Sequence, residues 1–228
     1  MEIRNYIRKH YKLKFSRHED EIGKIEEYLR REYKLKCDKL NLIKDLLESL
    51  QMAYWGTDDI LDEGEKLRRR IDELLQIHLG LNEFYSKLFK NFPIEIVQRV
   101  LEVYDKAFSE MLEVPLKLNE LITDLYSGKS DIYSSLKEIM LERAKHVTLY
   151  WGVALSIVEK DSKTVEKIMS IKHLERALSL FEKDWRDRDN DKKRNEFNIY
   201  NFLEFKSMSF SVVEKIKEAI KKELDYTL

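Results

Sequence analysis

Only eight of the chain's 228 residues are glycine or proline, six and two respectively. That scarcity constrains the fold more than any other feature. Sheets need tight turns, and tight turns draw on glycine, proline and asparagine for backbone angles that other residues resist. A barrel, a sandwich or a doubly wound sheet is therefore not expected. Apolar residues instead recur at spacings of three and four, the helical period. Ile25, Tyr28, Leu29 and Tyr33 form one such stripe; Val97, Val100, Leu101, Tyr104, Phe108, Met111 and Leu112 form another. The pattern predicts helices at about 2–13, 17–35, 38–62, 66–91, 94–126, 131–159, 162–192, 196–206 and 209–226. Ser130 and Asp161 read as N-caps, and Pro115 falls inside an apolar pattern too strong for it to end the helix. Connections are short, so neighbouring helices should run antiparallel. The expectation is an all-α fold: one domain over 1–228, an orthogonal or antiparallel bundle of about nine helices.

Charge excludes several partners. The 42 basic and 43 acidic residues leave a net charge of −1, so no global field gathers nucleic acid or an anionic membrane. Any polyanion must be held by a local arrangement. Cys37 is the single cysteine, which rules out an intrachain disulfide or a thiolate metal site. Histidines 10, 18, 78, 146 and 173 lack zinc spacing; His78 and His146 are expected as satisfied core residues. The longest apolar run, Leu149–Val158, is far short of the roughly 20 residues that span a bilayer. The start, MEIRNYIRKHYKLK, is amphipathic and charged rather than signal-like. A cytoplasmic protein without a transmembrane segment is expected. Gly128-Lys129-Ser130 copies the end of a phosphate loop, but the preceding glycine and strand are missing, so it is discounted.

The aspartates carry the chemical signal. Seven of the 16 lie in two windows, at 58, 59, 62 and at 184, 187, 189, 191. Aspartate is a mediocre helix former, because its short carboxylate competes for nearby backbone groups. Repeating it inside helical pattern asks for a reason. Asp58 and Asp62 are one turn apart, with Asp59 beside them; Asp184, Asp187 and Asp191 follow i, i+3, i+7 on one face, and Asp189 points elsewhere. Two acid ridges on separate helices suit a hard divalent cation such as Mg²⁺, which takes oxygen ligands and is commonly held by one or two carboxylates plus substrate phosphates. The plainer alternative is two solvated acidic stretches. Arg68 and Arg69 follow the first ridge, and the guanidinium fork donates two bonds at once to a phosphate. Ion pairing with Glu63, Glu65 or Asp72 is the competing role.

Asp58-Asp59-Ile60-Leu61-Asp62-Glu63 followed by Leu67-Arg68-Arg69 resembles the first aspartate-rich motif of the trans-isoprenyl diphosphate synthases. His78-Leu79-Gly80-Leu81-Asn82 is similar to that family's small-residue segment on the next helix, and Trp151-Gly152-Val153-Ala154 to its later Gly-Ala helix. Asp184-Trp185-Arg186-Asp187 with Asp191 resembles a second aspartate-rich motif, closest to that of squalene and phytoene synthases. The likeness extends over residues 50–200. It implies a terpenoid-synthase-like fold and a protein of the class I isoprenoid synthase superfamily, a transferase of isoprenoid biosynthesis.

The resemblance implies a prenyl diphosphate substrate whose C–O bond is ionised for prenyl transfer or terpene formation. Asp58, Asp59, Asp62, Asp184, Asp187 and Asp191 are then Mg²⁺ ligands, and Arg68 and Arg69 grip the diphosphate. Positive charge belongs where the leaving oxygens become negative. No catalytic residue separate from the metal site is expected, since ionisation needs no covalent nucleophile. Tyr54 and Trp151, with Trp55, Phe84 and Tyr150, are the candidates to line a dry channel and steady a carbocation; ordinary core packing is their alternative. A homodimer or heteromeric subunit is implied as well. No Gly-Gly-Lys-Arg signature for isopentenyl diphosphate precedes the first motif, which keeps a non-catalytic helical relative or subunit open. An all-α metal-dependent nucleotide pyrophosphatase is the third reading, although such enzymes favour glutamate in their ridges.

Overall fold

The structure, a computed structural model, describes residues 21–62, 67–194 and 196–228, without the side chains of 55–73. The helix expected at 2–13, and His10 and His18, lie outside the described residues. Among the described residues there are nine helices and no strand. They are α1 (21–32), α2 (Cys37–Asp62), α3 (Leu67–Asn91), α4 (Ile94–Ser127), α5 (Ile132–Ala144), α6 (His146–Val158), α7 (Ser162–Arg194), α8 (Ile199–Phe205) and α9 (Ser211–Thr227). The all-α expectation is met. None of these helices is long and apolar enough to cross a membrane. Pro115 sits within α4, which continues past it.

The chain forms two compact units, Met1–Tyr104 with Val153–Lys160, and Asp105–Gly152 with Asp161–Leu228. Helices α4 and α6 contribute residues to both.

In the first unit α2 and α3 pack antiparallel. Lys87 Nζ donates to Asp45 O at 3.0 Å and to Ser49 Oγ at 2.7 Å, while Gln76 Nε2 donates to Met52 O at 2.9 Å. The buried face of α3 is Gln76, Gly80, Phe84 and Leu88, every fourth residue. This stripe explains His78, which is exposed rather than in the core: two positions off the stripe is about 200° round the helix. His78 Nε2 meets Asn82 Nδ2 at 2.8 Å instead. Gly80 is where the helices come closest. A Cβ there would lie 2.6 Å from Ala53 N and 2.9 Å from Ser49 O. Phe84 stacks on Tyr104 with centroids 5.2 Å apart, and Ile25, Leu29, Leu46, Leu50 and Leu88 are buried to 1% or less. Tyr33, just after α1, donates its hydroxyl to Glu159 Oε2 at 3.2 Å.

The second unit gathers α5, α7, α8 and α9 around Leu136, Ile139, Met140, Phe181, Phe202, Val213 and Ile216. Gly128 ends α4 at φ 72°, with Lys129 N bonded to Asp124 O and Gly128 N to Leu125 O. That is a Schellman close, which fits setting Gly128-Lys129-Ser130 aside as a phosphate loop. Asp131, not Ser130, caps α5 by accepting from Ser134 N at 2.8 Å. Asp161 caps α7 as expected, accepting from Thr164 N at 3.1 Å. The helix expected over 131–159 is two helices broken at Lys145. Its amide bonds back three residues to Glu142 O, and its carbonyl takes the Thr148 hydroxyl at 2.7 Å. An apolar pattern runs straight through a one-residue break, so periodicity alone does not show it.

Candidate functional site

The first acid window lies at the end of α2 and the arginines at the start of α3. Asp58, Asp59 and Asp62 fall in the last five residues of α2, and Arg68 and Arg69 are the second and third residues of α3. Their side chains lie outside the described residues. The antiparallel hairpin nonetheless sets both groups of backbone positions at one end of α2 and α3.

Those positions run against the helix macrodipole. A helix C-terminus carries partial negative charge and an N-terminus partial positive charge; the wrong sign at either costs about 0.3–1 kcal/mol per charge. The last turn of α2 contains Asp59 and Asp62 and no basic residue. The first turn of α3 contains Arg68, Arg69 and Arg70 and no acid. Helix stability does not explain either choice. Carboxylates are the oxygen donors that a hard cation takes, and guanidinium groups are donors that a phosphate takes. The donor chemistry on α2 fits Mg²⁺.

The second window is different. Asp184 is 1% exposed. Its two oxygens take both arms of Arg143, Nη1 at 2.7 Å and Nη2 at 2.8 Å, and Oδ2 also accepts from Ile199 N at 3.3 Å. Asn198, itself buried, donates to Asp184 O at 2.7 Å and to Asp191 Oδ2 at 2.8 Å, and accepts from Tyr200 N at 3.0 Å as the cap of α8. The i, i+3, i+7 acids thus share a face, and that face fastens α7 to α5 and to the start of α8. In this arrangement Asp184 is the partner of Arg143, with no lone pair turned to solvent for a metal. Asp187 is half-buried and Asp189 exposed. Among the described residues no group of three or more His, Cys, Asp or Glu is arranged to hold a metal ion.

Three of the aromatic candidates, Phe84, Tyr150 and Trp151, pack as core. Trp151 is 2% exposed and Tyr150 3%, with Lys172 Nζ over the Trp151 ring at 5.0 Å. Phe84 is fully buried and Tyr54 half-buried; the Trp55 side chain is outside the described residues. His146 Nδ1 meets Arg143 O at 3.1 Å and His173 Nε2 meets Leu141 O at 2.7 Å.

Two groups escaped the sequence reading. Arg143 is the counter-ion of the one buried aspartate of α7, and no sequence spacing links residues 41 apart on different helices. Asn198 had a local signal, a capping residue before an apolar run. Glu142, 5% exposed on α5, is bracketed by Lys117 Nζ at 2.7 Å and Lys145 Nζ at 3.0 Å. Burial pushes its carboxyl upward, but hydrogen bonds from the two lysines outweigh that and hold it below the usual glutamate range. Set against known proteins, the chain matches no family, no curated sequence and no solved structure.

Proposed function

We propose that the chain is an isoprenoid-synthase-like protein that binds a prenyl diphosphate with Mg²⁺ at the shared end of α2 and α3. The observation that carries this reading is the charge placement: acids at the C-terminal end of α2 and arginines at the N-terminal end of α3, both opposed to the helix dipoles. Asp58, Asp59 and Asp62 would hold the metal, and Arg68 and Arg69 would donate to the outer diphosphate oxygens. Bound Mg²⁺ would supply positive charge to the leaving diphosphate. The arginines would do the same through hydrogen bonds that strengthen as negative charge builds on oxygen. Ionisation of the allylic C–O bond, for prenyl transfer or terpene formation, is the reaction this assembly suits.

A second reading, a helical subunit or binding protein without catalysis, is favoured by the α7 acids. Asp184 pairs with Arg143 and Asp191 with Asn198, so one of the two acid ridges serves packing. The test is thermal stability of the full chain with Mg²⁺ plus a prenyl diphosphate, a nucleotide, or neither. A ligand at a hundredfold excess over Kd stabilises by about 2.7 kcal/mol, a rise of about 5–11 °C for a chain of this size. The expected result is a rise with Mg²⁺ and prenyl diphosphate that Asp58→Ala with Asp62→Ala abolishes. A rise with the nucleotide alone supports the pyrophosphatase reading. No rise with any ligand leaves the non-catalytic reading. Product analysis with and without isopentenyl diphosphate then separates elongation, ionisation alone and inactivity.

A further inference from the structure

The break between α5 and α6 falls where the local sequence gives no cause for one. It lies in Glu142-Arg143-Ala144-Lys145-His146-Val147-Thr148, a stretch without glycine or proline. Its glutamate, arginine, alanine and lysine are among the best helix formers, and the apolar pattern of Leu141–Val158 runs straight through. Local preference is for one continuous helix, so the opposing influence comes from elsewhere in the fold. Sharp kinks without proline or glycine arise mostly where a foreign group enters the four-residue hydrogen-bond ladder. One does so here. In an unbroken helix the Lys145 amide bonds to Leu141 O. Instead it bonds to Glu142 O at 3.1 Å, and Leu141 O accepts from Nε2 of His173, on α7, at 2.7 Å. A carbonyl only accepts, so that ring nitrogen carries a proton. His173 is half-buried. Helix α7 touches both sides of the break, because Lys172, the preceding residue, sets its Nζ over the Trp151 ring of α6 at 5.0 Å.

We infer that His173 is a wedge that holds α5 and α6 apart as two helices, and that the α5–α6 connection is a two-state joint which α7 keeps open. The imidazole N–H occupies the carbonyl that a continuous ladder needs at the break. With the wedge in place the Lys145 amide has to close on Glu142 O, one residue short. With the wedge gone, Leu141 O is open to the Lys145 amide, and the sequence favours the closed ladder. Two other contacts at the break are weaker claimants. Lys145 Nζ reaches Glu142 Oε2 at 3.0 Å, but three-residue spacing is one that an unbroken helix also presents. His146 Nδ1 donates to Arg143 O at 3.1 Å, a contact inside the α5–α6 segment rather than one brought by another helix. The joint is independent of the diphosphate reading of α2 and α3.

The test is a pair of crystal structures of the full chain, His173→Leu and His173→Gln. His173→Leu removes the donor and should move the Lys145 amide from Glu142 O to Leu141 O, closing the break. His173→Gln keeps a side-chain N–H that can reach the same carbonyl, and the break should stay open. NMR of the isotope-labelled imidazole nitrogens in the unsubstituted chain reads the wedge without any substitution, so the inference stands or falls even where a variant does not fold. With the ring neutral, the proton is expected on Nε2 and not on Nδ1. A break that stays open in His173→Leu, a break that closes in Lys145→Met or His146→Leu with His173 intact, or a proton found on Nδ1 instead of Nε2 would overturn the inference.

Discussion

Replacing Asp184 separates a structural acid from a metal ligand. Its carboxylate is 1% exposed and accepts three hydrogen bonds, two from Arg143 and one from Ile199 N. Asp184→Ala strands a guanidinium that is only 20% exposed and leaves the Ile199 amide without its acceptor. Breaking a buried pair from one side costs about 3–5 kcal/mol, which lowers the melting temperature of a chain this size by about 6–20 °C. Asp187→Ala, three residues away on the same face but half-buried, should change stability by no more than about 0.5 kcal/mol. Removing both charges in Asp184→Leu with Arg143→Met should recover much of the loss, because two similar-sized apolar groups in place of a buried pair are often near neutral. Circular dichroism melts and tryptophan fluorescence read the effect, Trp185 following Asp184 in the chain and lying against Tyr200 with ring centroids 5.0 Å apart. All of this should appear without any metal. A loss under about 1 kcal/mol for Asp184→Ala, or a loss that appears only when Mg²⁺ is present, would refute the structural assignment.

The α2–α3 contact makes its own prediction. Gly80→Ala should destabilise by about 1–3 kcal/mol in urea melts, because the new methyl meets Ala53 and Ser49 backbone that cannot swing away. Ser207→Gly should stabilise by about 0.5–1 kcal/mol: Ser207 holds φ 53° in the Schellman close after α8, a conformation that costs a non-glycine residue about 1–2 kcal/mol, partly offset by the freer unfolded chain. Glu142 sets part of the acid limb. Its folded value is depressed, so its contribution is present above the unfolded value of about 4.3 and is lost as pH falls through the lower folded one. Glu142→Gln should flatten the stability profile below about pH 4.5. An unchanged acid limb would contradict the Lys117–Glu142–Lys145 bracket.

Helices were legible from the sequence because the three-and-four apolar spacing survives wherever one face is buried. The expected 38–62, 66–91 and 94–126 lie within a residue of α2, α3 and α4. The missed break at Lys145 shows the limit, since a single residue with three-residue backbone bonding leaves the apolar pattern of Leu141–Val158 intact. The acid windows show another. Periodicity placed Asp184, Asp187 and Asp191 on one face, which they share, but a face pattern does not say what lies opposite it. Arg143 and Asn198 arrive there from other helices. Aromatic residues were equally silent about role, because packing and carbocation lining draw on the same side chains.

The most direct measurement is a binding titration of the full chain with an unreactive prenyl thiodiphosphate, with and without Mg²⁺. The account predicts binding that requires Mg²⁺ and that disappears in both Asp58→Ala with Asp62→Ala and Arg68→Ala with Arg69→Ala. Binding that is indifferent to Mg²⁺, or that survives both double substitutions, would contradict it.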